Sequence, residues 1–105
     1  MLGNTLILKP SPTTPQCGLI CDKLMWEAGF NNHEFQTIFI DVPQVETVMA
    51  DKRIAGVSLT GSVRAGKSIG EVAGKNIKRC VLELGGSDPF IVTKEADLNL
   101  VILQL

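Results

Sequence analysis

Residues 61–68 read GSVRAGKS and satisfy the phosphate-loop pattern, in which a glycine and four further residues precede Gly-Lys-Ser or Gly-Lys-Thr. In such a loop, consecutive backbone NH groups surround a phosphate, the lysine reaches the terminal phosphates and the hydroxyl binds magnesium. The segment lies between an apolar run of strand length and a helical pattern, as such a loop requires. No later apolar run ends directly in an aspartate suited to hold magnesium, however. The pattern alone therefore leaves this interpretation open.

Three glycines in the same region recur at every fourth position, which places Gly66, Gly70 and Gly74 on one face of a predicted helix. Each costs about 1 kcal/mol relative to alanine, so something must approach that face closely. Packing of the helix on a sheet would explain at least two of them, and a ligand near the helix start could explain Gly66. Free NH groups at a helix N-terminus favour an anion such as pyrophosphate.

A second candidate is Glu83, which lies near the end of an apolar run and is followed by Leu84, Gly85 and Gly86. Ligands of open α/β sheets bind at the carboxyl ends of strands, where this side chain would emerge. The alternation of a strand places Glu83 on the face opposite Cys80. The two glycines permit close approach of a ligand. From these residues alone, a solvated glutamate at the strand end is favoured over a catalytic one.

These residues must be positioned by an alternation of strands and helices, which predicts an α/β fold. Such alternation requires a mainly parallel sheet with helices on both faces, because parallel neighbours need crossover connections. Thr14 and Pro15 are typical of a helix start, and Pro43 opens a second helix. The predicted strands are 5–8, 37–40, 54–59, 80–84 and 90–92, and the predicted helices are 15–28, one from 43, 62–76 and one from 96.

Composition sets the class of protein. The chain has 105 residues, of which 45% are hydrophobic and 20% charged, so it holds at most one compact domain. A net charge of −1 leaves no basic surplus for nucleic acid. Three cysteines and one histidine do not favour a zinc site or a disulfide framework. Without a signal-like start or an apolar run of membrane-spanning length, we expect a cytoplasmic protein that binds no membrane.

Four short motifs occur in an order that resembles the aldehyde dehydrogenase superfamily, and the match runs almost from end to end. Two longer strings, residues 60–66 (TGSVRAG) and 82–92 (LELGGSDPFIV), followed by Ala-Asp-Leu at 96–98, are most similar to bacterial succinate-semialdehyde dehydrogenases. The four motifs are Lys9-Pro10-Ser11, Glu27-Ala28-Gly29, Thr60-Gly61-Ser62 with Gly66, and Leu82-Glu83-Leu84-Gly85-Gly86.

The resemblance implies that residues 1–105 are part of a Rossmann-like domain that binds NAD or NADP. In such a domain Lys9 contacts the adenosine ribose, Ser62 contacts the pyrophosphate and Glu83 is the general base. Many members that prefer NAD carry an acid at the position of Pro12, and its absence leaves NADP possible. The cofactor-binding residues that the resemblance implies are Lys9, Ser11, Gly61, Ser62, Gly66 and Leu84.

In the reaction that the resemblance implies, a cysteine thiolate attacks an aldehyde, hydride passes to the nicotinamide, and the glutamate activates water to hydrolyse the thioester. The nucleophile would lie beyond Leu105 and the oxyanion-binding asparagine before Met1, and both apolar ends suggest a fragment. We therefore expect an inactive chain whose full-length relatives are homo-oligomers acting on a small aldehyde. A non-catalytic remnant and, less favoured, a phosphate-loop NTPase are the alternatives.

The other reactive side chains have structural interpretations. We expect Cys17, Cys21 and Cys80 to be core residues, because the first two lie on an apolar helix stripe with Ile20, Leu24 and Ala28 and the third lies on the strand face opposite Glu83. His33 belongs to a polar turn and is expected to be solvated. Lys67 is expected to be a helix-surface lysine that completes the phosphate-loop pattern by coincidence.

Overall fold

A computed structural model describes residues 3–86 and 89–103 of the chain. Strands and helices alternate along the first four fifths of the sequence, as the α/β prediction requires. Within the described residues, no helix is long and apolar enough to cross a membrane. The elements are β1 (Leu6–Leu8), α1 (Pro15–Glu27), β2 (Phe35–Thr37), α2 (Val42–Ala50), β3 (Gly56–Gly61), α3 (Val63–Lys75), β4 (Arg79–Leu84) and α4 (Leu98–Ile102).

The strands form two parallel pairs, each linked by a crossover helix. β1 pairs with β2 through α1, with Leu6 opposite Phe35. β3 pairs with β4 through α3, with Gly61 opposite Leu84. Because both members of a pair run in the same direction, their carboxyl ends meet at one edge. The parallel α/β prediction is confirmed, and each pair has one edge at which loops can present side chains to a ligand.

α1 and α3 begin where the sequence predicts, α2 begins one residue before Pro43, and α4 begins two residues after the predicted start at 96. Pro15 is the first residue of α1, and the side chain of Thr14 before it makes no capping hydrogen bond. Asp41 precedes α2, and its backbone NH donates to Gln44 Oε1 at 2.8 Å. At the start of α3, Ser62 Oγ accepts a hydrogen bond from the Ala65 NH at 3.2 Å. The hydrogen bonds at Asp41 and Ser62 satisfy NH groups that have no acceptor inside the helix.

Two strand predictions were wrong. The predicted strand 37–40 is observed at Phe35–Thr37, because pairing with the three residues of β1 fixes its position. Thr37 is also held there by α1: its NH donates to Asp22 Oδ1 at 2.9 Å and its hydroxyl donates to the Gly18 carbonyl at 3.1 Å. The predicted strand 90–92 has no strand structure, and all three of its side chains are exposed.

The described residues bury few side chains. Met49 and Ala73 are the buried hydrophobic residues among them. The predicted stripe of α1 is largely open to solvent, because the helix contacts β2 through Gly18 and Asp22 instead. The prediction of three core cysteines was wrong: Cys17 is exposed, and Cys21 and Cys80 are only partly buried. A layer of two short strands is too narrow to cover a whole helix face.

Candidate cofactor-binding and general-base site

The junction between β3 and α3 consists of one residue. Gly61 ends the strand, Ser62 caps the helix, and Val63 is already helical. A phosphate loop would instead need residues 62–65 outside the helix, so that their NH groups could surround a phosphate. Lys67 and Ser68 lie within α3 and are exposed. The phosphate-loop interpretation is therefore wrong, and the expectation of a helix-surface Lys67 is confirmed.

The start of α3 nevertheless offers donors to an anion. The Ala65 NH is used by Ser62 Oγ, and the Gly66 NH donates to the Ser62 carbonyl at 2.9 Å. The NH groups of Val63 and Arg64 belong to the first turn and have no acceptor within the helix. The positive end of the helix dipole adds to their attraction for negative charge. This junction can hold a phosphate group at its edge, without a surrounding loop.

The helix glycines have different surroundings. A Cβ atom on Gly66 would lie 2.6 Å from Leu84 Cδ2 and 2.7 Å from Leu84 Cδ1, so α3 packs against β4 at this point. A Cβ on Gly70 would make an ordinary contact of 3.8 Å with Leu82 Cδ1, and one on Gly74 would meet no atom within 4 Å. Packing thus explains Gly66, the glycine for which a ligand had been considered, and leaves Gly74 unexplained.

Glu83 lies at the carboxyl end of β4, directly opposite Thr60 of β3. Since Leu82 and Leu84 face α3, the alternation of the strand turns Glu83 to the other face. Its side chain is exposed, and within residues 3–86 and 89–103 its carboxylate makes no ion pair. Cys80 shares the α3 side with the leucines. The predicted separation of Glu83 from this thiol is consistent with the packing of β4.

A pocket of about 310 Å³ lies at the carboxyl end of β1 and β2. Lys9 and Ser11 line it, and Lys9 Nζ donates to the neighbouring Pro10 carbonyl at 3.0 Å. The Ser11 hydroxyl lies 2.8 Å from Thr13 Oγ1. An ammonium group and a hydroxyl thus border a pocket wide enough for part of a nucleotide. The complete lining is Lys9, Pro10, Ser11, Pro12, Pro15, Ile38, Phe39, Ile40, Asp41 and Gln44.

The candidate residues thus form two groups. Lys9 and Ser11 share the pocket at the first strand pair, whereas Gly61, Ser62, Gly66, Glu83 and Leu84 cluster at the edge of the second. Sequence reasoning missed Asp41 and Gln44, which line the pocket from the start of α2. The spacing of an N-cap aspartate and a glutamine three residues later was the available signal.

Comparison with known proteins agrees with this geometry. The model of the aldehyde dehydrogenase family matches residues 1–105. A succinate-semialdehyde dehydrogenase of Deinococcus radiodurans, whose name specifies NADP+, is 45% identical over 97% of this chain and 21% of its own length. An aldehyde dehydrogenase of Paenarthrobacter nicotinovorans is 47% identical over 99% of this chain and 23% of its own length. The chain thus spans about a fifth of these relatives.

Solved structures show the same relationship. The crystal structure of a succinic semialdehyde dehydrogenase from Streptococcus pyogenes, in complex with NADP+, matches with a TM-score of 0.81 and 44% identity. That match covers 95% of this chain and 22% of the other. The structure of a salicylaldehyde dehydrogenase from Pseudomonas putida G7 matches with a TM-score of 0.76 and 31% identity, over 96% of this chain and 22% of the other.

Proposed function

Because this chain belongs to the aldehyde dehydrogenase family, we propose that it forms the cofactor-binding part and supplies the general base of an NADP-dependent succinate-semialdehyde dehydrogenase. The names of its relatives, at 45% identity, support this substrate and cofactor. Since the chain spans about a fifth of those relatives, the oxidation of the aldehyde to a carboxylic acid is proposed for the whole enzyme and not for these residues alone.

The observation that carries the proposal is the position of Glu83 at the strand edge where β3 ends and α3 begins. Glu83 is paired with Thr60, two residues before the helix cap Ser62. An exposed carboxylate without an ion pair among the described residues therefore lies at the same strand edge as the free NH groups of Val63 and Arg64. The helix start would bind the pyrophosphate, and the carboxylate would accept a proton from water.

The pocket at β1 and β2 would hold the adenosine end of the cofactor. Lys9 supplies positive charge and Ser11 a hydroxyl donor, whereas Pro12 offers no carboxylate at a position where an acid would bind the ribose hydroxyls. An acid at position 12 would repel a 2′-phosphate, so its absence leaves room for NADP, and Asp41 is the carboxylate that lines this pocket, from the start of α2. When bound, NADP supplies the hydride acceptor of the reaction.

None of the three cysteines is proposed as the nucleophile. Cys17 and Cys21 lie on α1, and Cys80 shares the sheet face of Leu82 and Leu84, away from Glu83. We therefore expect no aldehyde-dependent NADPH formation by this chain. Turnover of succinic semialdehyde that disappears in Glu83→Gln would contradict this part of the proposal, because it would require a nucleophile among these residues.

Calorimetric titration of the chain with NADP and with NAD tests cofactor binding. Lys9→Met should weaken NADP binding about tenfold or more, since a hydrogen bond from a charged group contributes about 1.5–3 kcal/mol. Lys67→Met is the matched control, because it removes an exposed lysine from α3 and should leave both affinities unchanged. Equal losses in the two variants would contradict the assignment of Lys9. Absence of binding to either dinucleotide would favour a non-catalytic remnant.

A further inference from the structure

The pocket at the carboxyl end of β1 and β2 has apolar walls and polar groups on two sides. Three prolines, two isoleucines and Phe39 form the walls, and Phe39 is 56% exposed, so much of its ring is open to a flat ligand. Lys9 and Ser11, which follow β1, supply the polar groups on one side. Asp41 and Gln44, at the start of α2, supply those on the other. An aromatic ring with polar groups at both ends matches this arrangement.

The two charged side chains of the pocket do not pair with each other. Lys9 and Asp41 carry opposite charges, yet within residues 3–86 and 89–103 they form no ion pair. The space between them is therefore open to a ligand. The ammonium group attracts the phosphate-bearing end of a nucleotide and the carboxylate repels it, so the base of a bound nucleotide would lie toward Asp41.

A hydrogen bond fixes the orientation of the Gln44 amide. The Asp41 NH donates to Gln44 Oε1 at 2.8 Å. A backbone NH can only donate, so the amide atom that it contacts must be the oxygen, and the NH2 group takes the opposite position. Asp41 is exposed, and its ionised carboxylate can only accept. The start of α2 therefore presents an acceptor and a donor close together at the pocket.

Adenine carries the complementary pair of groups. On the edge of the base farthest from the sugar, the 6-amino group donates and N1 accepts. In hypoxanthine the same edge has a carbonyl oxygen that accepts and an N1–H group that donates. The carboxylate would then face an acceptor and the amide NH2 group a donor. The pair thus fits adenine and opposes hypoxanthine.

We propose that Asp41 and Gln44 recognise the adenine base of the dinucleotide, a specificity that rests on the cofactor-binding function proposed above. Asp41 accepts a hydrogen bond from the 6-amino group, and Gln44 Nε2 donates one to N1. The ring lies against Phe39, and the sugar and its phosphates lie toward Lys9. The hydrogen bond from the Asp41 NH to Gln44 Oε1 thereby also holds the amide in position for the base.

Calorimetric titration of the chain with NADP and with nicotinamide hypoxanthine dinucleotide phosphate tests the proposal. The parent chain should bind NADP about tenfold more tightly, as expected for a pair of hydrogen bonds to one edge of a base. In Asp41→Asn this preference should disappear, because the asparagine amide can turn its NH2 group toward the carbonyl oxygen of hypoxanthine. When Gln44→Glu is added, both groups of the pair are exchanged, and the preference should reverse to about tenfold for the hypoxanthine compound.

Both changes keep the start of α2 capped. Asparagine caps a helix as well as aspartate does, and glutamate can accept the NH of residue 41 as Gln44 does. Asp97→Asn and Gln36→Glu are the matched controls, because they make the same chemical changes at residues that do not line the pocket. Both controls should retain the preference of the parent chain for NADP.

Three outcomes would overturn the inference. Equal affinity of the parent chain for the two compounds would exclude recognition of adenine and leave the proposed cofactor binding intact. A preference that stays unchanged in Asp41→Asn and in the double variant would assign it to other residues. If the chain binds neither compound, the proposed cofactor-binding function fails, and this inference fails with it.

Discussion

The contact between Gly66 and Leu84 makes the packing of α3 on β4 open to a direct test. In Gly66→Ala, the new Cβ would lie 2.6 Å from Leu84 Cδ2 and 3.2 Å from Leu84 Cγ, distances at which the leucine or the helix must move. Overpacking in a well-packed core costs about 1–3 kcal/mol, and the lower end applies here because the clashing atoms are the far end of a leucine side chain that is 37% exposed and can turn aside. The change also replaces a helix-interior glycine by alanine, which by itself raises the free energy of unfolding by about 1 kcal/mol.

Gly70→Ala is the matched control, because it makes the same chemical change one turn later in α3. Its Cβ would meet Leu82 Cδ1 at 3.8 Å, an ordinary contact, so the variant should be about 1 kcal/mol more stable than the parent. The gain in helix propensity cancels between the two variants. The free energy of unfolding of Gly66→Ala should therefore be about 1 kcal/mol lower than that of Gly70→Ala.

Thermal unfolding followed by far-UV circular dichroism measures this difference. For a chain of about 100 residues, 1 kcal/mol corresponds to about 4–8 °C in Tm, so Gly66→Ala should melt at least about 4 °C below Gly70→Ala. In a Leu84→Ala background, which lacks the δ-carbons, Gly66→Ala should no longer lower the Tm relative to Gly70→Ala. Equal melting temperatures for Gly66→Ala and Gly70→Ala would refute the packing of α3 on β4 described above.

Three further predictions concern the connections between elements. Ile77 follows α3 with a φ of 52° and is 95% exposed. Ile77→Gly should relieve about 1–2 kcal/mol of left-handed backbone strain and cost about 0.5–1 kcal/mol in the conformational entropy of the unfolded chain. The net effect should be a higher Tm, and a lower Tm would contradict this. Lys78 Nζ donates to two backbone carbonyls between α2 and β3. Lys78→Met should lower the free energy of unfolding, measured in urea, by about 1.5–3 kcal/mol. An unchanged urea midpoint would show that these hydrogen bonds contribute nothing to stability. The side-chain hydrogen bond from Arg53, with Arg53 Nη2 2.6 Å from Asp51 Oδ2, holds the pKa of Asp51 well below its ordinary value of 3.8. Because this pKa is lowered, the stabilisation is present above the ordinary value and is lost as the pH falls through the lowered one. A carboxyl NMR titration should find Asp51 ionised at pH 3, and Arg53→Met should raise its pKa toward the ordinary value without restoring it fully, because the backbone NH of residue 53 still donates to Asp51 Oδ1. Protonation near the ordinary value in both forms would contradict the pair.

Local signals in the sequence were sufficient to place the helices and the side of Glu83. Pro15, Pro43 and Ser62 mark helix starts to within one residue, through backbone chemistry that depends on a few neighbouring residues. The alternation along β4 needs only the strand itself, and it correctly separated Glu83 from Leu82 and from the α3 face. The βαβ order followed from the same local patterns.

Features that depend on distant residues could not be predicted in this way. The position of β2 is set by its pairing with β1 and by hydrogen bonds from Thr37 to α1, which lies more than ten residues earlier in the chain. The reason for Gly66 is the side chain of Leu84 on another element. The exposure of Cys17 depends on how much of α1 the short strands cover. None of these relations has a periodic signature in the sequence.

The phosphate-loop pattern shows the same limit. Every letter of residues 61–68 fits, yet the chain forms a strand and a helix joined by Ser62 alone. What distinguishes a loop from a helix start here is the point at which β3 stops pairing with β4, and that point is fixed by residues about twenty positions later. Pairing with Leu82-Glu83-Leu84 therefore determines where β3 ends and α3 begins within the glycine-rich segment.

We propose that NADP binds at the carboxyl ends of both strand pairs. Titration of the isotopically labelled chain with NADP, followed by amide NMR spectra, tests it most directly. We predict that the signals of Ser11, Ser62 and Val63 shift together with one dissociation constant, while those of His33 and its neighbours in the turn before β2 stay fixed. Spectra that do not change at saturating NADP, or shifts confined to that turn, would contradict the claim.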